Sequence, residues 1–269
     1  MPARRNKPGK PRKWLYPHAI EREYERLLNE YALLLTQLVN EHIVMKVEQF
    51  RMDSIEDIPE STGWYERIRQ AFLTTSVLFI PTTERIIKLI ANVARQVSAF
   101  NKRQFHQVLR SAYGVDIFKT EPWLKEVLEI YEANNIKLIR SIPQQYLDSL
   151  NGKVVNAVRT GMPPKDLAKY IKKTYKVPAN RAKIIARDQI AKLNGQLTKE
   201  RQTRIGVTEY RWKGMLDERE RDEHKEREDQ IFQWDDPPDD GHPGEPILCR
   251  CSAEAVLPDL EDLDALIVH

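Results

Sequence analysis

Four side chains toward the C-terminal end have the chemistry of soft-metal ligands: His224, His242, Cys249 and Cys251. Zinc takes four thiolate and imidazole groups in a tetrahedron, so this set suits a small closed site, although Cys-x-Cys is a less usual spacing than Cys-x-x-Cys. A histidine beside carboxylates can also act as a general base. A metal-dependent nuclease or hydrolase would then centre on His224, with Asp217 or His242 helping to hold the ion. No nucleophile or oxyanion arrangement accompanies them, and residues 217–229 are nearly all charged, the pattern of a solvated face. The plainer reading buries both cysteines as small apolar groups and gives both histidines hydrogen bonds. It also pairs Asp217 with Arg219 to hold a turn after a strand. Arg250 lies between the cysteines. With the cysteines inward on a strand, alternation turns Arg250 outward, toward the acidic run or a partner. This reading requires no cofactor, and zinc is the one the ligand set admits.

A second group is electrostatic. Arg4, Arg5, Lys7, Lys10, Arg12 and Lys13 fall within the first thirteen residues, with no acid among them. Such an arm displaces counterions from a phosphate backbone without reading bases, or docks on an acidic protein surface, or only solubilises the chain. At the other end, Glu254, Asp259, Glu261, Asp262 and Asp264 stand with no Lys or Arg, so the formal net charge of +3 hides strong segregation.

The elements that position these groups are mostly helical. Residues 1–17 read as a flexible basic arm. From Ala19 the apolar residues Ile20, Tyr24, Leu27, Leu28, Tyr31, Leu34, Leu35 and Leu38 recur every three or four positions, which predicts an amphipathic helix reaching near Phe50. His42 falls where the stripe would continue, and Ile43 takes the apolar role. A loop is expected over 53–63. A helix from Trp64 should stop at Pro81, another should start at Thr82 or Thr83 and reach Ala112, and one from Pro122 should run to Pro143. A short helix is expected over 165–175 and a long one over 180–204. Beyond Gly206, alternation in Thr208, Tyr210 and Trp212 signals a strand. Ile231, Phe232 and Trp234 signal a second, and 247–256 a third. The fold class is therefore mainly α, an elongated helical body over 18–150 with a small α+β C-terminal module over 151–258 and an acidic tail over 259–269.

The order of residues in this module resembles that of the phage Mu F-like minor head proteins, a head-morphogenesis family of tailed phages. The resemblance begins at Arg181-Ala182-Lys183-Ile184-Ile185-Ala186-Arg187-Asp188. It continues through Gly206-Val207, Tyr210-Arg211-Trp212, Asp217-Glu218-Arg219 and His224, and ends at His242-Pro243-Gly244 and Cys249-Arg250-Cys251. Many members carry a glycine turn where Glu228-Asp229 stand here. The resemblance implies a structural, non-enzymatic protein of the virion, inside the head or at the portal vertex. Its implied partners are the portal protein and capsid or scaffold proteins, with double-stranded DNA as a further contact of the arm.

Composition agrees with a protein that buries a core. The hydrophobic fraction is 41% and the charged fraction 31% of 269 residues, which allows one or two domains. No run approaches the ~20 apolar residues of a membrane span, and the basic N-terminus has no apolar stretch of a signal peptide. Two cysteines one residue apart form no disulfide framework, which suits assembly in a reducing cytoplasm.

Overall fold

The computed structural model describes residues 14–47, 62–113 and 120–257. It is mainly α with a small α+β module near the C-terminus. The elements are α1 (His18–Val39), a π-helical stretch (Asn40–Val44), α2 (Thr62–Tyr113), α3 (Leu124–Arg159), α4 (Pro164–Lys173) and α5 (Lys176–Thr203). Then follow β1 (Glu209–Lys213), the short α6 (Asp222–Glu226), β2 (Ile231–Gln233) and β3 (Ser252–Ala255). Two compact units share these elements. One gathers segments 1–22, 91–132 and 187–269, and the other 23–90 and 133–186.

Pro81 and Pro143 were expected to end helices, and both lie inside them. In α2 the buried positions Ala71, Thr75, Phe79, Thr83, Ile86, Ile90, Val93 and Val97 pass through Pro81 without losing step. Pro81 itself is exposed. Water can therefore serve the carbonyl that the missing N–H leaves open, and burial along the stripe outweighs a local cost of about 3 kcal/mol. Thr83, expected to start a helix, is instead core: its hydroxyl donates to the Phe79 carbonyl and lies 2.8 Å from the Tyr31 hydroxyl. The same holds around Pro143, where Ile139, Ile142, Tyr146, Leu150 and Val154 keep one buried face. Gly63 is already helical rather than a breaker.

In the second unit Tyr24, Leu28, Tyr31, Leu35 and Val39 form the buried face of α1, while Leu34 is exposed. The wider π turn then brings Ile43 and Val44, not His42, into the core. In the first unit Trp14 and Tyr16 are buried, so the expected flexible arm over 1–17 is folded at its end, with Trp14 against Phe105, Val108, Ile205 and Val207. Arg201 on α5 is wholly buried. It pairs with Glu121 at 2.7 Å and donates to Asn101 at 2.6 Å, which satisfies a charge that burial would otherwise make costly. Among the described residues, no helix is long and apolar enough to cross a membrane.

The sheet is antiparallel with order β2-β1-β3. Tyr210 and Trp212 on central β1 face one side and are fully buried with Trp234, Cys249, Cys251 and Ala253. The third strand is shorter than expected, because 247–251 is not extended strand but a turn-rich approach to it. Asp229, at the turn before β2, holds φ at 65°. A short polar side chain tolerates that left-handed geometry, and the Asp229 carboxylate also accepts from Lys213 at 2.8 Å.

Candidate metal centre

His224, Cys249 and Cys251 converge. Their ligand-type atoms all lie within 4.8 Å of one another, and all three residues are buried. Short helix α6 presents His224, whose ring meets Trp212 edge-on at 5.2 Å. Nδ1 of His224 is 3.7 Å from Cys249 Sγ and 3.4 Å from Cys251 Sγ. On the other ring nitrogen, Nε2–H donates to Asp240 Oδ2 at 2.8 Å. A carboxylate can only accept, so this contact keeps a proton on Nε2, and in the neutral ring it leaves Nδ1 facing the sulfurs as an acceptor. Asp240 is itself held by Arg227, whose guanidinium lies over the Trp212 ring at 5.0 Å.

The two cysteines arrive by a constrained path. Leu248 takes φ of 59°, an uncommon conformation for a branched side chain. Its N–H donates to Asp188 on α5 at 3.1 Å, and the Cys249 N–H donates to the Pro246 carbonyl at 3.0 Å. The loop His242-Pro243-Gly244 packs its backbone on α5. A Cβ at Gly195 would meet the Pro243 carbonyl oxygen at 2.5 Å, and one at Gly244 would meet that of Ala191 at 2.7 Å. From that loop the Gly244 N–H donates to Cys249 Sγ at 3.4 Å.

Electrostatics separates the two thiols. The hydrogen bond from Cys251 first, then His224 and the Gly244 amide, draws Cys249 down to about 5 against the effect of burial. Cys251 is pushed up by its contact with Cys249, by burial and by the Glu220 carboxylate, to which it donates at 3.2 Å. Cys249, followed by Asp240, raises His224 although burial opposes it. Burial would raise Asp240, but His224 and Arg227 keep it below its ordinary range.

The fourth candidate ligand is elsewhere. His242 is buried beside Tyr210 and Trp234, with Nδ1 3.0 Å from the Tyr210 hydroxyl, and burial lowers its pKa. Arg250 does not turn outward. It is 7% exposed and grips Asp217 through two hydrogen bonds of 2.7 and 2.6 Å, because the cysteines do not sit on a regular strand and simple alternation fails. That contact holds Asp217 down to about 2. Arg219 is exposed and reaches Asp217 only at 3.7 Å. Arg4, Arg5, Lys7, Lys10, Arg12 and Lys13 lie outside the described residues. Sequence reasoning missed Asp240, Glu220 and Gly195. The first two stand in polar loops with no period to mark them, and Gly195 looks like an ordinary helical glycine until the loop that crosses it is known.

The fold and site define a helical protein closed by a small three-stranded module built around a thiol–imidazole cluster. Residues 148–254 match the family model described as Phage Mu protein F like protein, so this segment is similar to the phage Mu F-like family. A curated relative from Haemophilus influenzae, described as an uncharacterized protein, is 39% identical over 169 residues. The alignment covers 61% of this chain and 38% of that relative, so the chain spans well under half of its length. No solved structure matches the chain.

Proposed function

We propose that this chain is a non-enzymatic minor head protein of a tailed bacteriophage, acting in head morphogenesis inside the capsid or at the portal vertex. The observation that carries this reading is the family match over 148–254, a segment that forms α4, α5 and the sheet around the buried cluster. The long amphipathic helices would supply contacts to portal, capsid or scaffold subunits, and the C-terminal module would act as a folded anchor. Residues 4–13 would touch packaged DNA or an acidic subunit surface.

Mass spectrometry of purified procapsids and mature virions from the source phage tests this, with copy number measured. Low-copy presence in both is the expected result. Absence from every particle overturns it. Weight would then move to a metal-dependent hydrolase or nuclease, the reading favoured by a histidine–carboxylate pair beside a cavity, which requires divalent-metal-dependent cleavage lost in His224→Ala.

A further inference from the structure

We propose that His224 Nδ1, Cys249 Sγ and Cys251 Sγ bind a divalent ion of the zinc class, with the fourth coordination position open to the cavity beside Glu220.

The distances carry the first part. Zinc–sulfur and zinc–nitrogen bonds of about 2.3 and 2.0 Å in a tetrahedron place nitrogen and sulfur ligands about 3.5 Å apart. The observed Nδ1 to Sγ separations of 3.7 and 3.4 Å bracket that edge. Both nitrogen–sulfur edges therefore have the dimensions of a coordination sphere before any ion enters, and all three ligand atoms lie within 4.8 Å of one another.

The surroundings supply what such a sphere needs. Asp240 on Nε2 orients the imidazole and makes Nδ1 a better donor, and the Gly244 N–H donates to the Cys249 sulfur. Metal-binding histidines and thiolates are commonly held by such partners. Trp212 and Trp234 belong to the same buried cluster as both cysteines, which lowers the local dielectric and strengthens binding of a cation to thiolates.

The fourth position follows from where His242 goes. It is engaged with Tyr210, so the set of four expected from the sequence reduces to three. On the remaining side lies a cavity of about 160 Å³ lined by the three ligands together with Glu220, Arg219 and Arg221. Glu220 Oε1 stands 3.2 Å from Cys251 Sγ, and the same carboxylate accepts from the Met215 and Leu216 amides. That tether holds it at the mouth, where it can accept a hydrogen bond from a water on the ion. Three protein ligands with one open position is also the arrangement of reactive zinc sites. A structural ion and a reactive one fit the same three ligands, so metal binding stands apart from a role in head assembly.

The full chain, purified without chelators and kept reduced, decides the matter. Elemental analysis should find about one zinc per chain. Exchange for Co²⁺ should give the visible bands of a tetrahedral ion and near-ultraviolet thiolate charge transfer. Cys249→Ser should remove the charge-transfer intensity in large part. Asp240→Asn, which leaves all three ligands in place, should weaken Co²⁺ affinity about 10–100-fold and covers the case in which the cysteine variant does not fold. His242→Gln should keep the metal and the spectrum. A reduced wild-type chain that takes up neither Zn²⁺ nor Co²⁺, and whose melting temperature chelator leaves unchanged, overturns the proposal. Loss of metal in His242→Gln overturns the three-ligand assignment.

Discussion

Arg250 shows how one residue ties the two ends of the module together. It sits between the cysteines, is almost fully buried, and is paired with Asp217 through a two-pronged contact. Asp217→Asn would leave that guanidinium with one weakened partner, and a loss of about 1–2 kcal/mol is expected in urea unfolding, since Asp217 remains partly in water. The sign of the pH dependence follows from the lowered carboxyl. Its folded value of about 2 lies below the ordinary 3.8. The stabilisation is therefore complete above about pH 4 and fades as pH falls toward 2. Wild type should lose stability over that window more steeply than Asp217→Asn, and equal slopes would remove Asp217 as the cause.

At the scale of elements, two glycines in helices make opposite predictions. Gly195 of α5 lies under the Pro243 carbonyl, with no room for a Cβ. Gly195→Ala should push the His242-Pro243-Gly244 loop away and cost about 1–3 kcal/mol, as overpacking does. Gly152 in α3 has nothing within 4 Å of a built Cβ, so Gly152→Ala should stabilise by about 0.5–1 kcal/mol through helix propensity. Thermal melts of the two variants beside wild type check both signs. These elements also show how far sequence reading reaches. The alternation around Tyr210 and Trp212 was legible because one face of β1 is buried and the other is not. The helix stripes were legible for the same reason. The prolines misled because a local breaker says nothing about how much burial continues beyond it. At the site, residue types pointed to His224, Cys249 and Cys251, but no spacing could tell that Tyr210 claims His242 or that Asp240 holds His224. Those are facts of tertiary packing between loops.

For the whole molecule, charge segregation leads to a prediction about DNA. The six cations of residues 4–13 stand against an acidic C-terminal stretch, in a chain whose formal net charge is only +3. If the arm neutralises phosphates, removing one cation that does so makes the slope of log affinity against log salt shallower by about 0.9. Changing Arg4, Arg5, Arg12 and Lys13 to Ala should weaken binding to double-stranded DNA and flatten that slope. A slope unchanged in the variant would sink the arm's role.

The division of the chain between two compact units also sets a timetable. Residues 23–90 and 133–186 hold all of one unit, so the ribosome has delivered every part of it once residue 186 has emerged. The other unit has a core cluster that includes Trp14 and Phe105 and is completed only when Ile205 and Val207 join it. At roughly 5–20 residues per second, the interval between Phe105 and Val207 is about 5–20 s, during which an aromatic surface stays uncovered on the nascent chain. Trigger-factor-type holdases would find their longest-lived target in that first-made aromatic patch, and a message broken before codon 205 would yield a polypeptide that quality control can recognise by it.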